Sequence, residues 1–301
     1  QAAPPSGYKL VWHDEFDGQQ LDTNKWTAMD EPRKDGFSTP KAVALTNGLL
    51  TMTTFTEAGK HYTGFVSSKD KYEAAFGYFE ARIRFSSTPG EWGAFWLMSP
   101  TMGRPLGDPA KAGTEVDIVE HRITDLSGAD LSRVMAMTLH WDGYGKDHQH
   151  DGKSFARPEV TKGWHTYSLL WSPAEYVFYV DGKETWRTKA GGVSQVPEFL
   201  KLTEEIGKWG GDIKLARLPD HFIVDYVRVY LPADEGSGRT NRMVTYSYTF
   251  NAATSSIPVT AFSGSIVLGC PTDHSVTANV LSSNAVQMYL EYGVSSGAYS
   301  A

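Results

Sequence analysis

Residues 114 to 121, Thr-Glu-Val-Asp-Ile-Val-Glu-His, set three carboxylates into a run whose β-branched residues otherwise read as a buried strand. In a strand the side chains alternate, so Glu115 and Asp117 share one face while Val116 and Ile118 point to the other. Strict alternation would send Glu120 to the apolar face, where an unpaired charge is costly. One extra residue, a β-bulge near Ile118 and Val119, returns Glu120 to the side of the other two acids. The chain must then build a sheet with one apolar face and one face carrying Glu115, Asp117 and Glu120. Three acids on an ordinary solvent-facing strand are the plainer reading of the same residues.

Period-two alternation recurs along the chain. Tyr8 to Phe16 reads as a first strand, and Asn47-Gly48 as a hairpin turn before Leu49 to Phe55. Tyr78 to Phe85 places Phe79, Ala81, Ile83 and Phe85 on one face and Tyr78, Glu80, Arg82 and Arg84 on the other. Glu91 to Met98 puts Trp92, Ala94, Trp96 and Met98 together, an aromatic pair that suits either a core or a plate for sugar C–H groups. Arg133 to Trp141, Trp164 to Trp171, Tyr176 to Val180 and Phe222 to Tyr230 are further strands. Pro197 to Ile206 has the pattern of a short amphipathic helix. Ser99 to Gly113 reads as a long loop, and Gly143 to Lys153 as a solvated turn-rich loop in preference to a metal site built on His148 and His150.

The 301 residues include 28 basic and 35 acidic ones, a net charge of −7, which disfavours nucleic acid and anionic membrane as partners. Aromatic content is 13%, with 9 Trp and 15 Tyr, as expected of a β core. No apolar run is long enough to span a bilayer. The single cysteine, Cys270, offers neither an internal disulfide nor a metal cluster, and is expected to be a small buried hydrophobe. The opening Gln1-Ala2-Ala3-Pro4-Pro5 fits a mature secreted, cell-surface or periplasmic form, and equally a cloning boundary. Residues 1–232 read as one domain and 233–242 as a linker. Residues 243–301, rich in Ser, Thr, Ala and Val, read as a partial β module of immunoglobulin-like kind or a packed tail.

Two carboxyls facing each other across a sugar are what a retaining glycosidase needs, one as nucleophile and one as acid and base. Here the residues meet a resemblance. Glu-Val-Asp-Ile-Val-Glu at 115–120 is similar to the bulged Glu-x-Asp-x-x-Glu signature of glycoside hydrolase family 16, the family of laminarinases, agarases, carrageenases and endo-β-galactosidases. Val11 to Gly18 with Leu21 to Trp26, then Gly77 to Arg82, Ala94 to Met98 and Asp225 to Tyr230 resemble its other motifs in order, over roughly residues 8 to 231.

The resemblance implies an all-β fold, an antiparallel β-sandwich jelly roll of the concanavalin kind with an open groove. It also makes Pro197 to Ile206 a strand. It implies Glu115 as nucleophile, Glu120 as general acid/base and Asp117 as assistant. Trp96 would lie beside the cleaved bond and Trp92 at a further subsite. His140 and Trp141 would bind substrate, and Arg82 with Glu80 would support the cleft from the polar face of their strand. A structural calcium would be held by Glu15, Gly48 and Asp225, with no cofactor needed for the chemistry. The expected activity is endo-hydrolysis of a polysaccharide by a monomer. The bulged motif and His140-Trp141 slightly favour β-1,3-glucan. The long Ser99–Gly113 loop and the lack of a Trp-Pro pair before Ala94 keep β-galactans and host O-glycans open. A non-catalytic lectin, a transglycosylase and a structural β protein are the rivals.

Overall fold

The computed structural model describes residues 4–156 and 163–233, with the strand segments 264–269, 277–282, 292–295 and 298–300. The backbone forms two compact units, Gln1–Ala233 and Asp234–Ala301. In the second, Gly264–Gly269 pairs with Thr277–Ser282, and Tyr292–Ser295 with Ala298–Ser300. The expected linker 233–242, apart from Ala233, and Cys270 lie outside the described residues.

The first unit is an antiparallel β-sandwich of an eight-stranded and an eleven-stranded sheet. A parallel pair, Gly36–Ser38 with Lys60–Thr63, is the exception to the antiparallel pattern. Alternation explains why the sheets pack. Phe79, Ala81 and Ile83 of the Gly77–Arg84 strand meet Phe95, Leu97, Val116, Met135, Met137, Leu139, Leu200 and Leu202 of the smaller sheet in one core. The Asn47-Gly48 turn, with φ of 53° and 72°, closes the hairpin between Val43–Thr46 and Leu49–Glu57.

Five neighbouring strands of the smaller sheet make the face opposite that core. In spatial order they are Gln149–Ala156, Val134–Trp141, Glu115–Arg122, Glu91–Met98 and Glu198–Ile206. Glu198–Ile206 is a strand although its pattern alone suggests a helix. It runs between two partners and is covered on both faces, so the simple apolar alternation is lost. Residues 149–153, expected to end a solvated loop over Gly143 to Lys153, instead begin the strand Gln149–Ala156, which pairs along the whole of Val134–Trp141. The Ser99–Gly113 loop contains one helical turn, Pro109–Ala112, capped by Asp108.

Candidate active site

The register of the acid-bearing strand skips at Ile118–Val119 on both sides, so the expected bulge is present. Three cross-sheet rows result. Glu115 stands between Met98 and His140, Asp117 between Trp96 and Thr138, and Glu120 between Ala94 and Ala136. All three acids therefore share the face away from the core, where Val116, Ile118 and Val119 are fully buried. Small neighbours on both sides leave Glu120 partly exposed, with no protein hydrogen bond among the described residues.

Glu115 and Asp117 are 7% and 4% exposed, and each has a polar atom within 4.8 Å of the other and of His140. Burial pushes all three carboxyls up. Asp117 and Glu120 are driven well above the ordinary carboxylate range, by burial first and then by nearby carboxylates, Glu115 and Glu205 for Asp117, and Asp117, Glu115 and Glu205 for Glu120. Glu115 is also raised by burial, but Tyr144, His140, Lys201 and Arg33 oppose that rise. It is thus the acid of the three best supported as an anion, while Glu120 is held as a neutral acid. Tyr144 donates its hydroxyl to Glu115 Oε2, and His140 Nε2 lies 3.2 Å from Asp117 Oδ2 and 3.9 Å from Glu115 Oε1.

Trp96 lies beside Asp117, its indole N–H donating to Thr203 Oγ1 at 3.1 Å. The Lys201 ammonium sits 3.9 Å from its ring centroid and the Arg33 guanidinium 5.8 Å, so the ring carries cations across its face. Arg33 is held by Glu205, its Nε 2.7 Å from Oε1. Lys201 makes no ion pair among the described residues, and burial followed by Arg33 lowers its pKa to about 8. Trp92 is on the same face one row further on, opposite Glu205 and edge-on to Trp209 at 5.3 Å.

Other expected residues are placed elsewhere. Trp141 alternates with His140 onto the core side, packing on the hydrophobic cluster and against Gly191. Arg82 and Glu80 belong to the larger sheet, on its outer face, so they do not reach the carboxylates. Glu80 accepts from Tyr226 at 3.0 Å and Ser168 at 3.2 Å, and Arg82 donates to Asp225 at 2.5 Å. The proposed calcium residues do not fit a cation. Both oxygens of Glu15 accept from Arg228 at 2.8 and 2.7 Å, Asp225 is held by Arg82, and Gly48 lies beside Asp17. Guanidinium groups already occupy the oxygens a calcium ion would require. A pocket of about 510 Å³ opens there, but its Arg228–Glu15, Arg82–Asp225 and His165–Asp181 pairs are satisfied internally.

Sequence reasoning missed Tyr144, Lys201, Arg33, Glu205 and the hydrogen bond of His148 to His140. Tyr144 sits in a Gly-rich turn and Arg33 is some eighty residues from Glu115, so no local period announces them. Lys201 occupies the same face parity as Thr203, a signal available once its segment is known to be a strand.

A two-sheet sandwich with a bulged strand of three acids beside a Trp-lined wall defines a glycoside hydrolase of jelly-roll type. Residues 11–232 match the family described as Beta-porphyranase A-D, GH16 domain, and the chain belongs to glycoside hydrolase family 16. It is 30% identical over 241 residues to a keratan-sulfate endo-1,4-beta-galactosidase of Sphingobacterium multivorum, covering 74% of this chain and 55% of that protein. A glucan endo-1,3-beta-glucosidase A1 of Niallia circulans is 25% identical, over 75% of this chain and 38% of that one. The chain thus spans about half the length, or less, of these relatives. Among solved structures, SCLam, a non-specific endo-beta-1,3(4)-glucanase from family GH16, aligns with a TM-score of 0.64 at 27% identity, over 76% of this chain and 93% of that one.

Proposed function

We propose that this chain is a retaining endo-β-glycosidase acting on internal linkages of a polysaccharide. The observation that carries the reading is the bulge, which sets Glu115, Asp117 and Glu120 on one face with Tyr144, His140, Lys201 and Arg33 gathered around Glu115. Glu115 attacks the anomeric carbon while Glu120 gives its proton to the leaving oxygen, and a glycosyl ester forms on Glu115. Glu120 then takes a proton from water, which attacks the ester and restores Glu115 with net retention. Asp117 stabilises the changing charge beside the nucleophile. The chemistry uses carboxyl groups alone and requires no cofactor. The enzyme works as a monomer outside the cytoplasm, where a polymer substrate is met; among the described residues no helix is long and apolar enough to cross a membrane.

A β-1,3-glucan of laminarin type is the first substrate. The Lys201 ammonium over Trp96, without an ion pair among the described residues, favours a second reading, a β-galactan bearing anionic substituents, in keeping with the name of the keratan-sulfate relative. A chromatographic product screen on laminarin, mixed-linkage glucan, agarose, carrageenan, arabinogalactan and mucin O-glycans tests both. Glu115→Gln and Glu120→Gln should lose on the order of 10³-fold in rate while melting unchanged. Binding without products, from any of these polymers, would make the protein a lectin.

A further inference from the structure

A chain of polar contacts that this mechanism leaves unused runs outward from Asp117. His140 Nε2 lies 3.2 Å from Asp117 Oδ2 in an ion-pair contact, and the opposite ring nitrogen, Nδ1, is hydrogen-bonded to His148 Nε2 at 2.9 Å. An imidazole engaged at both nitrogens passes a proton by exchanging tautomers. With Asp117 protonated, a small turn of its carboxyl across the 3.2 Å contact lets the O–H donate to a bare His140 Nε2, and His140 Nδ1–H donates to a bare His148 Nε2. When the Asp117 O–H bond breaks, an N–H bond forms at His140 Nε2. The Nδ1–H bond breaks in turn and one forms at His148 Nε2. His148 then holds protons on both nitrogens and releases the Nδ1 proton to water. Asp117 is 4% exposed, whereas His148 stands at the rim, partly exposed.

Building on the glycosidase reading, we propose that His148 is a positioning residue which, through His140, lets Asp117 exchange its proton with solvent while a glycan covers the cleft. The need follows from the charge on Glu115. Burial first, and then the ionised Glu115 carboxylate, favour Asp117 in its protonated form; beside a neutral glycosyl ester the second of these is gone and Asp117 ionises more readily. A proton that leaves Asp117 at that stage returns when Glu115 is restored, and the proton of Glu120 is committed to the leaving oxygen. The groups facing the relay are Glu115 and Asp117 from the acid-bearing strand, His150 directly across from His140, and Tyr144 from the preceding turn. Lys201 and Arg33 lie beyond Glu115. The three imidazole rings are 5.1 to 5.8 Å apart, close enough that a charge on one opposes a charge on the next. Burial holds His140 and His148 neutral to lower pH than usual, which keeps both ready to accept.

The test uses ¹⁵N-histidine NMR across a pH titration of the full chain, together with kinetics on whichever polysaccharide of the panel is cut fastest. Asp117→Asn should move the His148 titration midpoint by about half a pH unit, although the two side chains do not touch. An unmoved His148 midpoint would overturn the relay. His148→Ala should lose about tenfold in kcat with KM little changed, free imidazole should restore most of it, and His148→Gln should show the same loss without restoration. No loss in either variant, or a loss that imidazole leaves untouched, would also overturn it. Should no polymer be cut by the wild type, the glycosidase reading fails, while the NMR titration still decides the relay.

Discussion

Lys201 is a cation without a carboxylate partner among the described residues, laid over Trp96 and flanked by Phe65 and Phe199 at 5.4 Å. Its ammonium compensates the buried acids from the side, and, with Arg33 already paired to Glu205, it is the charge that an anionic substituent on the sugar would meet. Lys201→Met keeps the stem packed on the indole and removes the charge. If an anionic galactan is the substrate, this variant should lose about tenfold more kcat/KM on carrageenan than on laminarin, measured side by side. Equal losses on both polymers would confine Lys201 to supporting Glu115. Trp96 shows the limit of a motif at this scale: the resemblance set it beside the cleaved bond, but its position opposite Asp117 and the lysine covering its ring, from a strand about a hundred residues away, come from strand pairing.

At the scale of the element, the acid-bearing strand works because of one additional residue. The Ile118–Val119 bulge was readable in the sequence, since only an irregularity there keeps Glu120 out of the core. Deleting Ile118 removes the extra residue, so that Glu115, Asp117 and Glu120 become alternate residues of a regular strand and still share one face. The expected outcome is a folded protein that keeps hydrolysis within about tenfold of the wild type, read by product release and circular dichroism. Loss on the order of 10³-fold in the folded variant would show that the bulge does more than return Glu120 to the face of the other acids. The neighbouring strands were less legible. Residues 149–156 are polar and mostly exposed, so their pairing beside His140 has no apolar period to reveal it. The polar face of Gly77–Arg84 was correctly separated from its apolar face, yet it belongs to the other sheet.

Across the whole first unit, an unusual number of acids are buried behind the site as well as in it. Glu91, near Glu204 and Asp220, is pushed up to about 8 chiefly by burial, as is Glu198, which accepts from the Thr114 backbone and hydroxyl. Glu204 is raised further. Each has a folded pKa above its unfolded value, so between about pH 4.5 and 8 the native state binds more protons than the unfolded chain. Stability should therefore be greatest at mildly acidic pH and fall as pH rises through 8. Glu91→Gln should reduce that fall by about 3–6 °C in melting temperature between pH 5 and 8, measured by scanning calorimetry. An identical slope in wild type and variant would mean that Glu91 ionises freely in the folded protein.

By itself the sequence determined which residues alternate, where alternation must break, and hence that three acids share one strand face. These are consequences of the two-residue period and of the cost of burying charge, and both act locally. The tertiary structure decided which sheet each polar face belongs to and who stands opposite whom. It sent Arg82 and Trp141 away from the cleft, satisfied Glu15 and Asp225 with arginines, and brought Tyr144, His148, Lys201 and Arg33 to the acids. Strand pairing joins segments a hundred and more residues apart, and no local period records which segments meet.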